Sequence, residues 1–257
     1  RGLIALAQDA LADADLLHVH EFRTVENRLV LPLANCPVVL SPHGTLNLTT
    51  GRSLIKQAWD ALISPRLAPR IRHIIALAEA ERAEAQAVWE ANGWLFPASS
   101  VVPNGVNLAS FAHLPDPGAF RARYGLGDAT VCLFMARLHP RKGVQVLAEA
   151  FHAAALPNCK LLIVGPDEGA LEGLRPLLGA DMIATGYLGG EERLAAFAAA
   201  DCFALPAVGE GLPMVALEAL AAGLPLIVSP GCNLPEVETV GAGVVVAPEK
   251  EALAGAL

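Results

Sequence analysis

Short apolar runs alternate with longer helix-forming segments along nearly the whole chain. Residues 16–20, 37–40, 73–77 and 100–102 read as strands in the first part, and residues 130–135, 160–164, 182–184, 201–205, 225–228 and 243–246 in the second. Val, Ile and Leu dominate these runs without polar alternation, as expected when helices cover both faces of a parallel sheet. Ala-, Leu- and Glu-rich segments at 78–91, 143–155 and 191–199 lie between them, with Gly or Pro at the joins. Such βαβ repetition predicts an α/β protein. The least periodic connection, Pro103 to Gly118, holds Pro-Asn-Gly-Val-Asn and Leu-Pro-Asp-Pro-Gly. It places a domain boundary between residues 1–103 and 104–257.

Composition narrows the functional classes. With 257 residues, 54% of them hydrophobic and 17% charged, the chain has apolar material for two cores. No apolar block approaches the roughly 18 uninterrupted residues that a spanning helix needs, so a soluble or peripheral protein is expected. A formal net charge of −8 argues against nucleic acid as the main partner. The five cysteines, Cys36, Cys132, Cys159, Cys202 and Cys232, show no CxxC spacing. They read as reduced thiols of a cytoplasmic protein rather than a disulfide framework or a zinc site. The chain opens on Arg1 with no initiator Met or signal peptide, and residues 250–257 read as a helix stopped midway. Both ends are therefore expected to be trimmed.

In open parallel sheets ligands bind beyond the carboxyl ends of the strands, and two such places carry candidate chemistry. After the strand ending at Leu205 comes a loop with Gly209-Glu210-Gly211, then Pro213 as the expected first residue of a helix that is apolar except for Glu218. A carboxylate in such a segment needs donors, and a ribose diol would serve; an Arg or backbone partner is the plainer alternative. The helix N-terminus suits phosphate or sugar oxygens. The second place is Arg137-Leu-His-Pro-Arg-Lys142-Gly, where Arg137 and Lys142 are the candidates to neutralise a diphosphate. Arg141 reads as a solvated loop residue.

Taken together, the chain resembles the retaining glycosyltransferases of family four, the group 1 glycosyltransferases. The matching elements are Arg137 to Gly143, Gly165-Pro-Asp-Glu-Gly169, Glu210 to Glu218, Pro103 to Asn107, His18-Val-His20 and Ser41-Pro-His43-Gly44, in the family's order and over nearly the whole chain. The resemblance implies the GT-B fold, two Rossmann-like parallel-sheet domains facing a cleft, with the first domain incomplete on the acceptor side and the second binding a nucleotide sugar. It implies that Arg137 and Lys142 hold the donor diphosphate, that Glu218 takes the ribose hydroxyls, and that Glu210, beside Gly211 and the N–H groups of Leu212 and Met214, contacts sugar and phosphate. His43 would face the sugar and Gly44 would let it approach. Gly165, Tyr187 and Leu188 would lie near the base.

The implied reaction moves a hexose with retention from a UDP- or GDP-linked donor to a cell-envelope, lipid-linked or exopolysaccharide acceptor, without a metal or other cofactor. The alternatives are a nucleotide-binding fragment without turnover and a GT-B phosphorylase or sugar-phosphate synthase. A Gly-rich loop near the start of the first domain has no counterpart here, Pro213 stands where many members carry Gly, and Ala78 lacks the capping side chain often found there. A His18, His20 and His43 metal cluster is set aside because no further ligands are apparent. Finally, residues 52–73 carry Arg52, Lys56, Arg66, Arg70 and Arg72 against Asp60, with Leu54, Ile55, Trp59, Leu62 and Ile63 as an apolar face. Such a segment suits either an ordinary helix packed on the sheet or a peripheral contact at the inner face of the plasma membrane, the former slightly favoured.

Overall fold

The computed structural model describes residues 2–46 and 53–257, so Arg52 of the basic segment lies outside the described residues. The chain divides into two compact units, Arg1–Asn104 and Gly105–Leu257. In the first, four strands, β1 (Leu17–His20), β2 (Val38–Ser41), β3 (Ile71–Ala76) and β4 (Ala98–Val101), pair in that spatial order. All are parallel. In the second, β5 (Thr130–Met135), β6 (Cys159–Val164), β7 (Met182–Gly186), β8 (Cys202–Leu205), β9 (Leu226–Val228) and β10 (Gly243–Val245) form one parallel sheet in the order β10-β9-β8-β5-β6-β7.

Counted within the second unit, that order is 3-2-1-4-5-6 from the β7 edge, the doubly wound arrangement with a topological switch between β5 and β8. Every strand expected from the apolar runs is present, within two residues at each end. The central strands are buried on both faces, as in Val131 to Met135 of β5, which is why they lack polar alternation. The expected helices are present as Glu79–Ala91, Val144–Ala154 and Gly190–Ala199. None among the described residues is long and apolar enough to cross a membrane.

The first unit's core gathers around Trp89, whose ring centroid lies 5.0 Å from Phe22 and 5.7 Å from Trp94. Leu31, Leu40, Leu46 and Ile74 complete it with no exposed surface. Beside it lies a buried ion pair. Arg23 donates Nε and Nη2 to Asp60 at 2.8 and 2.7 Å, and its Nη1 reaches the carbonyls of Thr45 and Leu46. Ser64 Oγ also donates to Asp60 at 2.9 Å. A desolvated pair survives when its remaining lone pairs and protons are satisfied in this way.

That pair overturns the favoured arrangement of the basic segment. The helix Ser53–Leu62 turns Asp60 inward, and Leu54 and Leu62 remain 78% and 74% exposed, with Ile55 exposed beside them. The apolar face expected on the sheet is therefore largely in solvent, because the buried carboxylate sets the rotation of the helix. Trp59 and Ile63 are half-buried, and Arg66, Arg70 and Arg72 are exposed.

Truncating Trp89 to Ala is expected to destabilise the first unit by about 3–5 kcal/mol, the usual range for a buried aromatic. The Trp89 indole N–H has no hydrogen-bond partner among the described residues, so Trp89→Phe should cost much less. Denaturant unfolding of both variants, followed by the remaining tryptophans, checks the difference; equal losses would contradict a packing role.

Candidate functional site

The site is built where β5, β6, β7 and β8 end. After Met135 the chain passes Arg137 and enters the short 3-10 turn Pro140–Lys142. Its register is held by Leu138, whose N–H donates to the Pro166 carbonyl at 2.8 Å. His139 Nδ1 accepts the Arg141 N–H at 3.1 Å and so caps the turn. Gly143 then adopts φ +74° and starts the helix Val144–Ala154. A Cβ there would stand 2.2 Å from the Pro206 carbonyl oxygen, so only glycine lets the Lys142 turn lie against the exit of β8.

The Glu210 loop is held from its other side. Glu210 N–H donates to the Gly231 carbonyl at 2.8 Å, Ser229 Oγ donates to the Ala207 carbonyl, and Cys232 Sγ donates to that of Leu205. Asn233, at φ +53°, donates its side-chain amide to the carbonyls of Glu210 and Gly211 at 2.7 and 3.0 Å. The two constructions meet at one contact: Lys142 Nζ lies 2.7 Å from Glu210 Oε1, with the side chains 16% and 17% exposed.

These elements enclose a pocket of ≈ 470 Å³, within the size range of small-molecule sites. Of the residues expected at the site, Arg137, Lys142, Gly165, Tyr187, Leu188, Glu210, Leu212 and Met214 line it. Gly211 and Glu218 do not. Pro213 also lines it, as the cap preceding the helix Met214–Ala221 rather than that helix's first residue. Gly165 sits at φ +146° with the Ala136 carbonyl oxygen 1.8 Å from where a Cβ would be. The two loops that leave β5 and β6 therefore touch backbone to backbone.

Three cation–carboxylate pairs surround the pocket. Besides Lys142 and Glu210, the Arg137 guanidinium donates to both oxygens of Glu168 at 2.9 and 3.1 Å, on exposed ground. Glu218, the carboxylate in the apolar helix, finds its partner in Arg193 of the helix Gly190–Ala199. Arg193 also lines the pocket and stands 5.3 Å over the Phe197 ring. Glu168, Arg193 and Asn233 were not anticipated. Arg141 corrects its reading as a solvated residue: it is half-buried and donates Nη2 to the Gly209 carbonyl at 2.6 Å. Next to Glu168, Asp167 Oδ1 accepts the N–H groups of Leu171, Gly169 and Ala170. Those bonds hold its carboxyl below the ordinary aspartate value.

The remaining expected residues, His43 and Gly44, belong to the first unit. His43 adopts φ +55° and Gly44 +73°. The Gly44 N–H is bound by Glu81, a buried carboxylate that also accepts the Leu77 N–H at 2.6 Å. Glu81 thus ties the helix Glu79–Ala91, whose N-cap Ala78 offers no capping side chain, to Leu77 before it and to Gly44. His43 Nε2 lies 2.7 Å from His20 Nδ1, and His18 Nε2 lies 2.8 Å from Ser41 Oγ. Burial, then the neighbouring His20 and His43, push the His18 imidazole below its ordinary pKa. Among the described residues, no group of three or more His, Cys, Asp or Glu is placed to hold a metal ion.

An apolar-walled pocket with two cations at a strand end and a helix N-terminus across from them is suited to an anionic ligand with an organic body. Comparison with known proteins places the chain in a family. Residues 129–257 match the family model described as glycosyl transferases group 1, and residues 1–110 match that of glycosyltransferase family 4. One relative is a GDP-mannose-dependent monoacylated alpha-(1-6)-phosphatidylinositol monomannoside mannosyltransferase of Corynebacterium glutamicum. It is 36% identical over 164 residues, which are 58% of this chain and 43% of that protein. Another is a phosphatidyl-myo-inositol mannosyltransferase of Mycolicibacterium smegmatis, 29% identical over 86% of this chain and 54% of that protein. The chain thus spans about half the length of these curated relatives. In three dimensions it resembles Anabaena HepE, solved in complex with UDP-glucose, with a TM-score of 0.81, 21% identity, and coverage of 98% of this chain and 70% of that one. With GT-B proteins as its structural neighbours and the group 1 model matching half of its residues, the chain belongs to the group 1 glycosyl transferases.

Proposed function

We propose that this chain carries the donor-binding machinery of a retaining, metal-independent glycosyltransferase that moves a hexose from a UDP- or GDP-linked donor to a lipid-linked or glycan acceptor. The observation that carries the reading is the meeting of Lys142 with Glu210, next to Arg137, at the switch between β5 and β8. The relatives support it by name, being GDP-mannose-dependent mannosyltransferases of phosphatidylinositol glycolipids.

In this reading Arg137 turns from Glu168 to the donor diphosphate, and Lys142 holds its other side. Glu218 exchanges Arg193 for the ribose diol, and Tyr187 and Leu188 wall the base. Glu210 contacts the sugar. The bond from the anomeric carbon to the diphosphate oxygen breaks as the acceptor oxygen adds on the same face, and the acceptor proton passes to the departing phosphate. The two cations balance the charge that grows on that phosphate, Lys142 from a place already fixed and Arg137 once it has turned. The exposed Leu54, Ile55 and Leu62, with Arg66 and Arg72 following, suit a peripheral contact with anionic lipid at the inner face of the plasma membrane.

UDP or GDP at about 100 times its dissociation constant should stabilise the second unit by about 2.7 kcal/mol, read as a rise in melting temperature. No response to either nucleotide would contradict the reading. Lys142→Ala should lower transfer from GDP-mannose or UDP-glucose by about 100-fold or more with an unchanged fold by circular dichroism, and retained turnover would remove its leaving-group role. Co-sedimentation with phosphatidylglycerol vesicles should be lost in a Leu54→Glu, Leu62→Glu double variant; absence of binding by the parent protein would end the membrane assignment.

A further inference from the structure

The Glu210 loop is gripped by groups outside the pocket along its whole length. Arg141 Nη2 donates to the Gly209 carbonyl at 2.6 Å, and its Nε lies 3.4 Å from the Val208 carbonyl. The Val208 N–H returns to the Arg141 carbonyl at 2.8 Å. Asn233 takes the next two carbonyls, those of Glu210 and Gly211. Four consecutive carbonyls, 208 to 211, therefore face two side chains that do not line the pocket. A guanidinium suits this task because its planar fork reaches adjacent carbonyls in fixed directions, whereas an ammonium offers a single point of contact.

Arg141 also immediately precedes Lys142 in the same 3-10 turn. The middle residue of the turn thus holds the backbone of the Glu210 loop while the next residue holds its carboxylate, at 2.7 Å. We infer that Arg141 is a positioning residue that locks the Lys142 turn and the Glu210 loop into one rigid piece, so that the phosphate and sugar ends of a donor are gripped in a fixed relation. This rests on the donor-binding reading above. Arg141 does not line the pocket and acts through Glu210.

The consequence is selective. The diphosphate contact of Arg137 and the ribose contact of Glu218 do not depend on the carbonyls that Arg141 holds, and Lys142 is kept in its turn by its own N–H on the His139 carbonyl at 2.8 Å, whereas the placement of Glu210 rests on those carbonyls. Loss of the clamp should therefore weaken the grip on the sugar and leave that on the nucleotide nearly intact. Misplacement of a positioning group by a fraction of an ångström is enough for such an effect.

Isothermal titration of the chain with UDP, GDP, UDP-glucose and GDP-mannose tests this. In Arg141→Ala the affinity for the bound nucleotide sugar should fall about tenfold, while that for its nucleoside diphosphate stays within about threefold. Arg141→Lys, which still reaches one carbonyl, should fall between. Asn233→Ala, which frees the other half of the loop without touching the turn, should give the same split and stands in if Arg141→Ala does not fold. Equal weakening for nucleotide and nucleotide sugar, or no change in either, would overturn the positioning role alone. If the parent chain binds none of the four, the donor-binding reading falls with it.

Discussion

At the carboxyl end of β5 the chain runs so close to its neighbours that no side chain fits between them. A Cβ on Gly143 would overlap the Pro206 carbonyl, and one on Gly165 would overlap that of Ala136. These two approaches bring the exits of β5, β6 and β8 into direct backbone contact, although β5 and β8 lead their connections away in opposite directions along the sheet. The pocket, the Lys142–Glu210 contact and the Arg137–Glu168 pair all hang on that crossing. A methyl group at either glycine would meet a peptide carbonyl, which cannot rotate aside as a side chain can.

Around this crossing the charges are arranged in matched pairs. Lys142 and Glu210 are mostly buried, and each limits the desolvation cost of the other. Glu218 in its apolar helix has Arg193, which the stack on Phe197 also steadies. The Arg137–Glu168 pair is exposed and weak by comparison. The first unit follows the same rule in a different setting. Arg23 and Asp60 are sealed in the core with every polar atom engaged, and that seal leaves Leu54 and Leu62 facing outward.

Much of the fold was legible in the residues because buried parallel strands announce themselves as short runs of Val, Ile and Leu. The ends of β5 coincide with those expected from Thr130 and Met135. The Glu210-to-Glu218 spacing was legible as well, since both carboxylates sit on one strand–loop–helix stretch. Arg193, Glu168 and Asn233 were not, because each acts on a partner 23 to 31 positions away in sequence. Arg141 reaches its loop across 68 positions and looks like any other basic loop residue. The orientation of the helix Ser53–Leu62 was misjudged for a related reason: its apolar stripe predicted burial, but Asp60 and its distant partner Arg23 decided which side faced in.

The pairing of charges also bears on how fast a ligand is captured. A site lined by unmatched cations would draw an anion in from beyond a Debye length, and that attraction would fade as salt is added. Here Arg137, Lys142 and Arg193, the cations that line the pocket, each have a carboxylate within contact distance, on a chain whose net charge is −8. The far field is accordingly weak or repulsive toward anions. Long-range attraction then contributes little to association, which depends on the exchange of ionic partners on contact, and added salt screens repulsion rather than attraction.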